Sequence, residues 1–187
     1  MMMREKKVLS LALGAGLAVF AALFGADTTR ADTASQSAAP APQGEVLLTV
    51  TLEGEGAREQ QMTLAQLQAL AADSFETTTI WTTGPQSFTG VPLAELLAQF
   101  DIAAPTPGIT LEARAVNDYM VEIPLTDAVE DGPIIAYLRN GKTMSLRGKG
   151  PLWLVYPYDS NPAYRTEAVY SRSIWQLDSL SLRPTAE

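Results

Sequence analysis

Residues 77–93 read "TTTIWTTGPQSFTGVPL". Six of the first seven residues are β-branched, the composition of a strand. Gly84-Pro85 punctuates the run. Phe-Thr-Gly-Val-Pro-Leu then leads into an apolar helix, with Pro92 suited to its first turn. The expected order is a strand over 75–83, a loop, and a helix from Pro92. The alternating hydroxyls of Thr79 and Thr83, with Trp81 between them, suit two arrangements. One is an ordinary strand whose indole is core; the other is the rim of a pocket.

Working outward, "EVLLTVTL" (45–52) is a β-run and "EGEGAREQ" a turn or loop. Thr63 and Gln66 form a capping box, which predicts a short helix from Leu64 to about Ala71. In "PLAELLAQF", Leu93, Leu96, Leu97 and Phe100 share one side of a helix. "ITLEARAV" (109–116) alternates as a half-buried strand, Asn117-Asp118 marks a turn, and "YMVEIPL" is a strand ended at Pro124. "PIIAYLRNGKTMSL" (133–146) is a hairpin closed by Asn140-Gly141 in a type I′ turn. "PLWLVYP" is a buried strand and "YDSNPAYRTEAVYSRS" a loop. "IWQLDSLSL" (174–182) is a final strand, although neither of its faces is cleanly apolar. Strands outnumber helices, which predicts a mixed-sheet α+β domain over 45–187.

The first 31 residues stand apart. Arg4, Lys6 and Lys7 precede an apolar run from Val8 to Ala26, the pattern of an export signal with a cut after Ala31. An uncleaved N-terminal anchor is the other reading of that run. Either places the domain outside the cytoplasm, in the periplasm or secreted. Residues 32–44, "DTASQSAAPAPQG", read as a disordered linker.

The chain has 187 residues, no cysteine and no histidine. That excludes Ser-His-Asp and Cys-His machinery, thiolate and imidazole metal sites, and the usual near-neutral proton shuttle. The net charge of −8 argues against nucleic acid as a partner. Charge is uneven, however. From Gly132 to Tyr158 there is no acid, while Arg139, Lys142, Arg147 and Lys149 are present. These bases suit a solvated face or a local anion site, and the Gly148-Lys149-Gly150 turn would offer backbone amides to an oxyanion. No cluster has metal-loop spacing, so no metal is expected.

The order of these pieces resembles the oxidoreductase molybdopterin-binding domain, the pterin domain of sulfite oxidase. "FTGVPLAELL" (88–97) is similar to that family's helix entry, and "AVNDYMVEIPLTDA" (115–128) to its D-G-Y and I-P-L segments. "IIAYLRNGKTMSLRGKGPLWLVYP" (134–157) is similar to its A-Y-x-x-N-G hairpin and following apolar strand. "IWQLDSLSL" resembles the closing strand. The resemblance implies a molybdenum cofactor held by a cysteine thiolate, with His and Arg on the pterin and its phosphate. Where it places the cysteine, this chain has Ile80, Trp81, Thr82 and Thr83, and a threonine hydroxyl does not replace a thiolate on molybdenum. Lys149-Gly150 stands where related enzymes have His-Gly. "MMMREKKVLS" lacks the twin arginine of cofactor-loaded export.

Candidate ligand-binding residues are therefore Thr79, Trp81, Thr83, Asn117, Tyr119, Arg147 and Lys149. Tyr156, Tyr158, Tyr164, Arg165, Tyr170 and Arg172 have the composition of a protein-contact loop, and equally of an aromatic core. The expected function is a cofactor-free binding or sensory module, with a membrane-bound sensor or another periplasmic protein as partner. The alternatives are a molybdopterin oxidoreductase with a non-cysteine metal site, and an anion-binding protein using Arg147 and Lys149.

Overall fold

The computed structural model describes residues 44–185 except 55, 104 and 105. The expected export signal and nearly all of the expected linker lie outside the described residues. In chain order the elements are β1 (Val46–Leu52), β2 (Arg58–Thr63), α1 (Leu64–Gln68), β3 (Asp73–Thr77), β4 (Gln86–Pro92) and α2 (Leu93–Ala98). There follow β5 (Ile109–Ala115), β6 (Met120–Ile123), β7 (Ile134–Arg139), β8 (Lys142–Thr143), β9 (Trp153–Val155), α3 (Glu167–Arg172) and β10 (Leu177–Pro184). Short 3-10 turns occupy Leu125–Asp127, Leu146–Gly148 and Pro162–Tyr164.

Two sheets result. One has the order β2-β1-β10-β5-β6, and the other β3-β4-β7-β8, with β9 on β7. The β1–β10 pair is parallel and the remaining ladders are antiparallel. The inward faces of both sheets contribute to one buried cluster, with Leu48, Val50, Leu111, Ala113 and Leu180 from the first and Phe88, Val91, Ile135 and Trp153 from the second. This is the α+β architecture expected from the sequence.

The capping box forms as read. The Thr63 amide donates to the Gln66 side chain at 2.8 Å, and the Gln66 amide to the Thr63 hydroxyl at 3.3 Å. Asn140 and Gly141 both take positive φ, 50° and 71°, as a type I′ turn requires.

Four local expectations are corrected. The strand expected over 75–83 ends at Thr77. "SFTGVP", read as loop and helix entry, is part of strand β4, and Pro92 ends that strand as the N-cap of α2. Gly90 is essential there, because a Cβ at this position would lie 2.2 Å from the Ile135 carbonyl oxygen. Part of the "EGEGAREQ" loop belongs to β2. Arg58, Glu59, Gln60 and Gln61 are all exposed, so this edge strand has little apolar alternation and is held by its ladder to β1. The loop "YDSNPAYRTEAVYSRS" contains α3, which is capped by the Thr166 hydroxyl accepting the Val169 amide at 3.3 Å.

The irregular faces of "IWQLDSLSL" also have a cause. The β10–β5 register shifts between Leu177 and Ser179. This bulge brings Leu177 into the buried set of Leu180 and Leu182, which strict alternation cannot do.

Candidate functional site

The turn after β3 is built by side chains that compete with the ladder. The Thr78 amide and hydroxyl donate to the Asp159 carboxylate at 2.6 and 2.8 Å. The Thr77 hydroxyl accepts the Asp159 amide at 3.1 Å. These bonds, the Thr78 amide first, hold the Asp159 carboxyl below its usual pKa, and Arg165 adds to the effect with an ion pair at 2.7 Å. The chain then folds back. The Trp81 amide donates to the Thr79 hydroxyl at 3.2 Å, and Thr79 and Thr82 share a hydroxyl contact at 2.7 Å.

This turn delivers Trp81 into an aromatic corner. Its ring centroid lies 5.3 Å from Trp175, 5.8 Å from Tyr170 and 5.8 Å from Trp153, with planes inclined by 71°, 85° and 64°. Such edge-on arrangements are the favoured aromatic geometry. Beside the corner opens a cavity of about 570 Å³. Ile80 and Trp81 form one wall, and Ala115, Asn117 and Tyr119 of the β5–β6 hairpin another. The third comes from α3 and the segment after it: Glu167, Tyr170, Ser171, Ser173, Ile174 and Trp175. The Tyr119 hydroxyl donates to the Ser171 carbonyl at 3.1 Å and ties the hairpin to α3. The Asn117 side chain shapes the hairpin by accepting the Tyr119 amide at 3.3 Å.

Of the candidate ligand-binding residues, the fold thus brings together Trp81, Asn117 and Tyr119. Thr79 supports the turn without lining the cavity, and Thr83 and Arg147 are exposed away from it. Lys149 is not among the lining residues, but its ammonium lies 3.8 Å from the Trp175 centroid and 5.6 Å from that of Trp153. Burial, and secondarily Arg139, lower its pKa. The oxyanion reading of Gly148-Lys149-Gly150 is corrected. The Gly148 and Gly150 amides both donate to the Ser145 carbonyl at 2.8 Å, and the Lys149 amide to Leu146 at 3.1 Å. No amide of that turn is left to meet an anion.

The contact-loop reading is corrected at two of its residues. Tyr156 and Tyr158 are 0% and 1% exposed, so no partner can reach them. The Tyr156 hydroxyl donates to Asp127 at 2.7 Å, while that of Tyr158 bonds Ser173. Burial, chiefly, raises both phenol pKa values. Arg172 pairs with Asp127 at 3.0 Å, and the Arg165 Nε donates to the Tyr158 carbonyl at 2.9 Å. Tyr164 packs on Tyr156 with centroids 5.5 Å apart, and Tyr170 turns to the cavity. Tyr156, Asp127 and Arg172 thus brace α3 through its last residue, while Arg165 stays exposed.

Sequence reasoning did not assign Glu167, Ser171, Ser173, Ile174 or Trp175 to the site. The signal available was Thr166 as an N-cap, which starts a helix and places Glu167, Tyr170 and Ser171 on one face at i, i+3 and i+4.

The family model of the oxidoreductase molybdopterin binding domain matches residues 38–159. Among solved structures, the chain is similar to the sulfane dehydrogenase SoxCD from Paracoccus pantotrophus, at 18% identity and a TM-score of 0.52. That alignment covers 74% of this chain and 39% of the other, so this chain spans well under two thirds of its length, and the likeness is one of fold. Curated protein sequences offer no match. The family segment includes the Trp81 wall and the hairpin wall, while the α3 wall lies beyond it. The chain belongs to the oxidoreductase molybdopterin binding domain family.

Proposed function

We propose that this protein is an exported member of the family that acts as a binding or sensory module, without molybdenum redox chemistry. The donor set is the observation that carries the reading. The family implies molybdopterin, with a sulfur ligand from the protein on the metal. This chain has no cysteine and no histidine. The turn where the resemblance places the thiolate presents Ile80, Trp81, Thr82 and Thr83, none of which supplies that sulfur. Among the described residues no group of three or more Asp and Glu could hold a metal ion. Among the same residues no Lys or Arg lines the cavity to meet a pterin phosphate. The residues present do not fit the cofactor.

Export is supported by Arg4, Lys6 and Lys7 ahead of the apolar run Val8–Ala26, without a twin arginine. A chain that crosses the membrane unfolded does so without a preloaded cofactor. Its expected partner is a membrane-bound sensor or another periplasmic protein.

The test is expression in a host that loads other molybdoenzymes. Pterin fluorescence of the denatured protein and dye-linked turnover are then measured. Absence of both is the expected result. A pterin signal with turnover would establish the rival reading, an oxidoreductase with a non-cysteine metal site.

A further inference from the structure

We propose that the aromatic cavity binds a small organic cation, an ammonium group carrying an apolar body. This inference rests on the reading of a pterin-free site.

Three observations lead to this ligand class. The first is the wall chemistry. Trp81, Tyr170 and Trp175 meet at steep angles, 85° and 71° from the Trp81 plane, so a ligand in the corner meets both ring faces and ring edges. Ring faces attract cations through their quadrupole. The protein already uses one in this way, since the Lys149 ammonium sits 3.8 Å from the Trp175 centroid.

The second is the sign of the charge. Among the described residues Glu167 is the one ionisable acid lining the cavity, and no basic side chain joins it. Among them, too, Glu167 forms no ion pair. The nearby bases of the same segment are committed elsewhere, Arg165 to Asp159 and Arg172 to Asp127. Glu167 precedes Tyr170 by one helical turn on α3, so carboxylate and ring share a face. The ligand's charge is assigned to this Tyr170–Glu167 side, because the Lys149 ammonium already sits over the Trp175 ring. The net charge of −8 favours the approach of cations and disfavours anions.

The third is size. A cavity of about 570 Å³ lies within the range of small-molecule sites and is too large for an inorganic ion alone. Ile80, Ala115 and Ile174 add apolar wall that suits the ligand's uncharged body, beside the polar Asn117, Tyr119, Ser171 and Ser173.

The test is calorimetric titration of the purified protein with benzyltrimethylammonium, with uncharged benzyl alcohol and with phenylacetate. The cation is expected to bind saturably, about tenfold tighter than benzyl alcohol, with no binding of phenylacetate. Glu167→Gln is expected to weaken the cation about fivefold and leave benzyl alcohol unchanged. Should that variant not fold, high salt applied to the native protein must weaken the cation selectively. Equal binding of cation and neutral compound, tighter binding of the anion, or no saturable binding would each overturn the proposal. Molybdenum is measured on the same sample. Stoichiometric metal defeats the underlying reading, whereas metal-free protein that ignores the cation defeats this inference alone.

Discussion

Trp81 meets Trp175 at an inclination of 71° with ring centroids 5.3 Å apart, and this contact joins the turn after β3 to the segment entering β10. Trp81 is only half-buried, yet it touches four aromatic rings. Trp81→Ala should cost about 2–3 kcal/mol, somewhat less than truncating a fully buried indole, with Trp81→Phe in between. Urea unfolding of the three proteins checks this order. Near-ultraviolet circular dichroism should lose its coupled-indole signal in both variants.

Asp159 locks the same turn from the other side. Its folded pKa is lowered, chiefly by the hydrogen bond from the Thr78 amide. Its stabilisation is therefore complete above the unfolded value of about 3.9 and is lost as pH falls through the lowered folded value. Asp159→Asn lacks this charge-linked part at every pH. The gap in Tm between wild type and variant should be constant near neutrality and close in the acid range, as a pH series of melting curves will show.

The brace behind α3 can be dissected with two substitutions. Asp127 accepts from Tyr156 at 2.7 Å and pairs with Arg172 at 3.0 Å. Tyr156→Phe removes one bond and leaves the ion pair, for a cost of about 1 kcal/mol. Asp127→Ala strands a buried phenol and a half-buried guanidinium together, for about 2–3 kcal/mol. Equal losses in denaturant unfolding would contradict a shared acceptor.

Gly90→Ala places a methyl carbon 2.2 Å from the Ile135 carbonyl oxygen, in the middle of the β4–β7 ladder. Rigid backbone cannot yield cheaply there. The variant should lose more than about 3 kcal/mol or fail to accumulate as folded protein, read from soluble yield and Tm.

Local rules made much of the fold legible. The Thr63–Gln66 box, the Asn140-Gly141 turn and the alternation of "ITLEARAV" all act within a few residues, and each formed as read. What was not legible depends on distant partners. Strand β3 stops at Thr77 because Asp159, far away in sequence, takes the Thr78 amide. The faces of β10 make sense only with the bulge opposite β5. Tyr156 and Tyr158 carry interface-type chemistry but are core, since burial is decided by what packs over them. Three of the eleven residues that line the cavity, Trp81, Asn117 and Tyr119, stood out in the sequence as ligand-binding candidates, and the α3 wall was hidden in a segment whose composition reads as loop.

On the reading proposed above, this family member has an aromatic binding cavity and no molybdenum centre. The most direct test of that reading is the molybdenum content per mole of protein purified from a host that loads other molybdoenzymes. No molybdenum above background is expected. One atom per chain, retained through gel filtration, would contradict it.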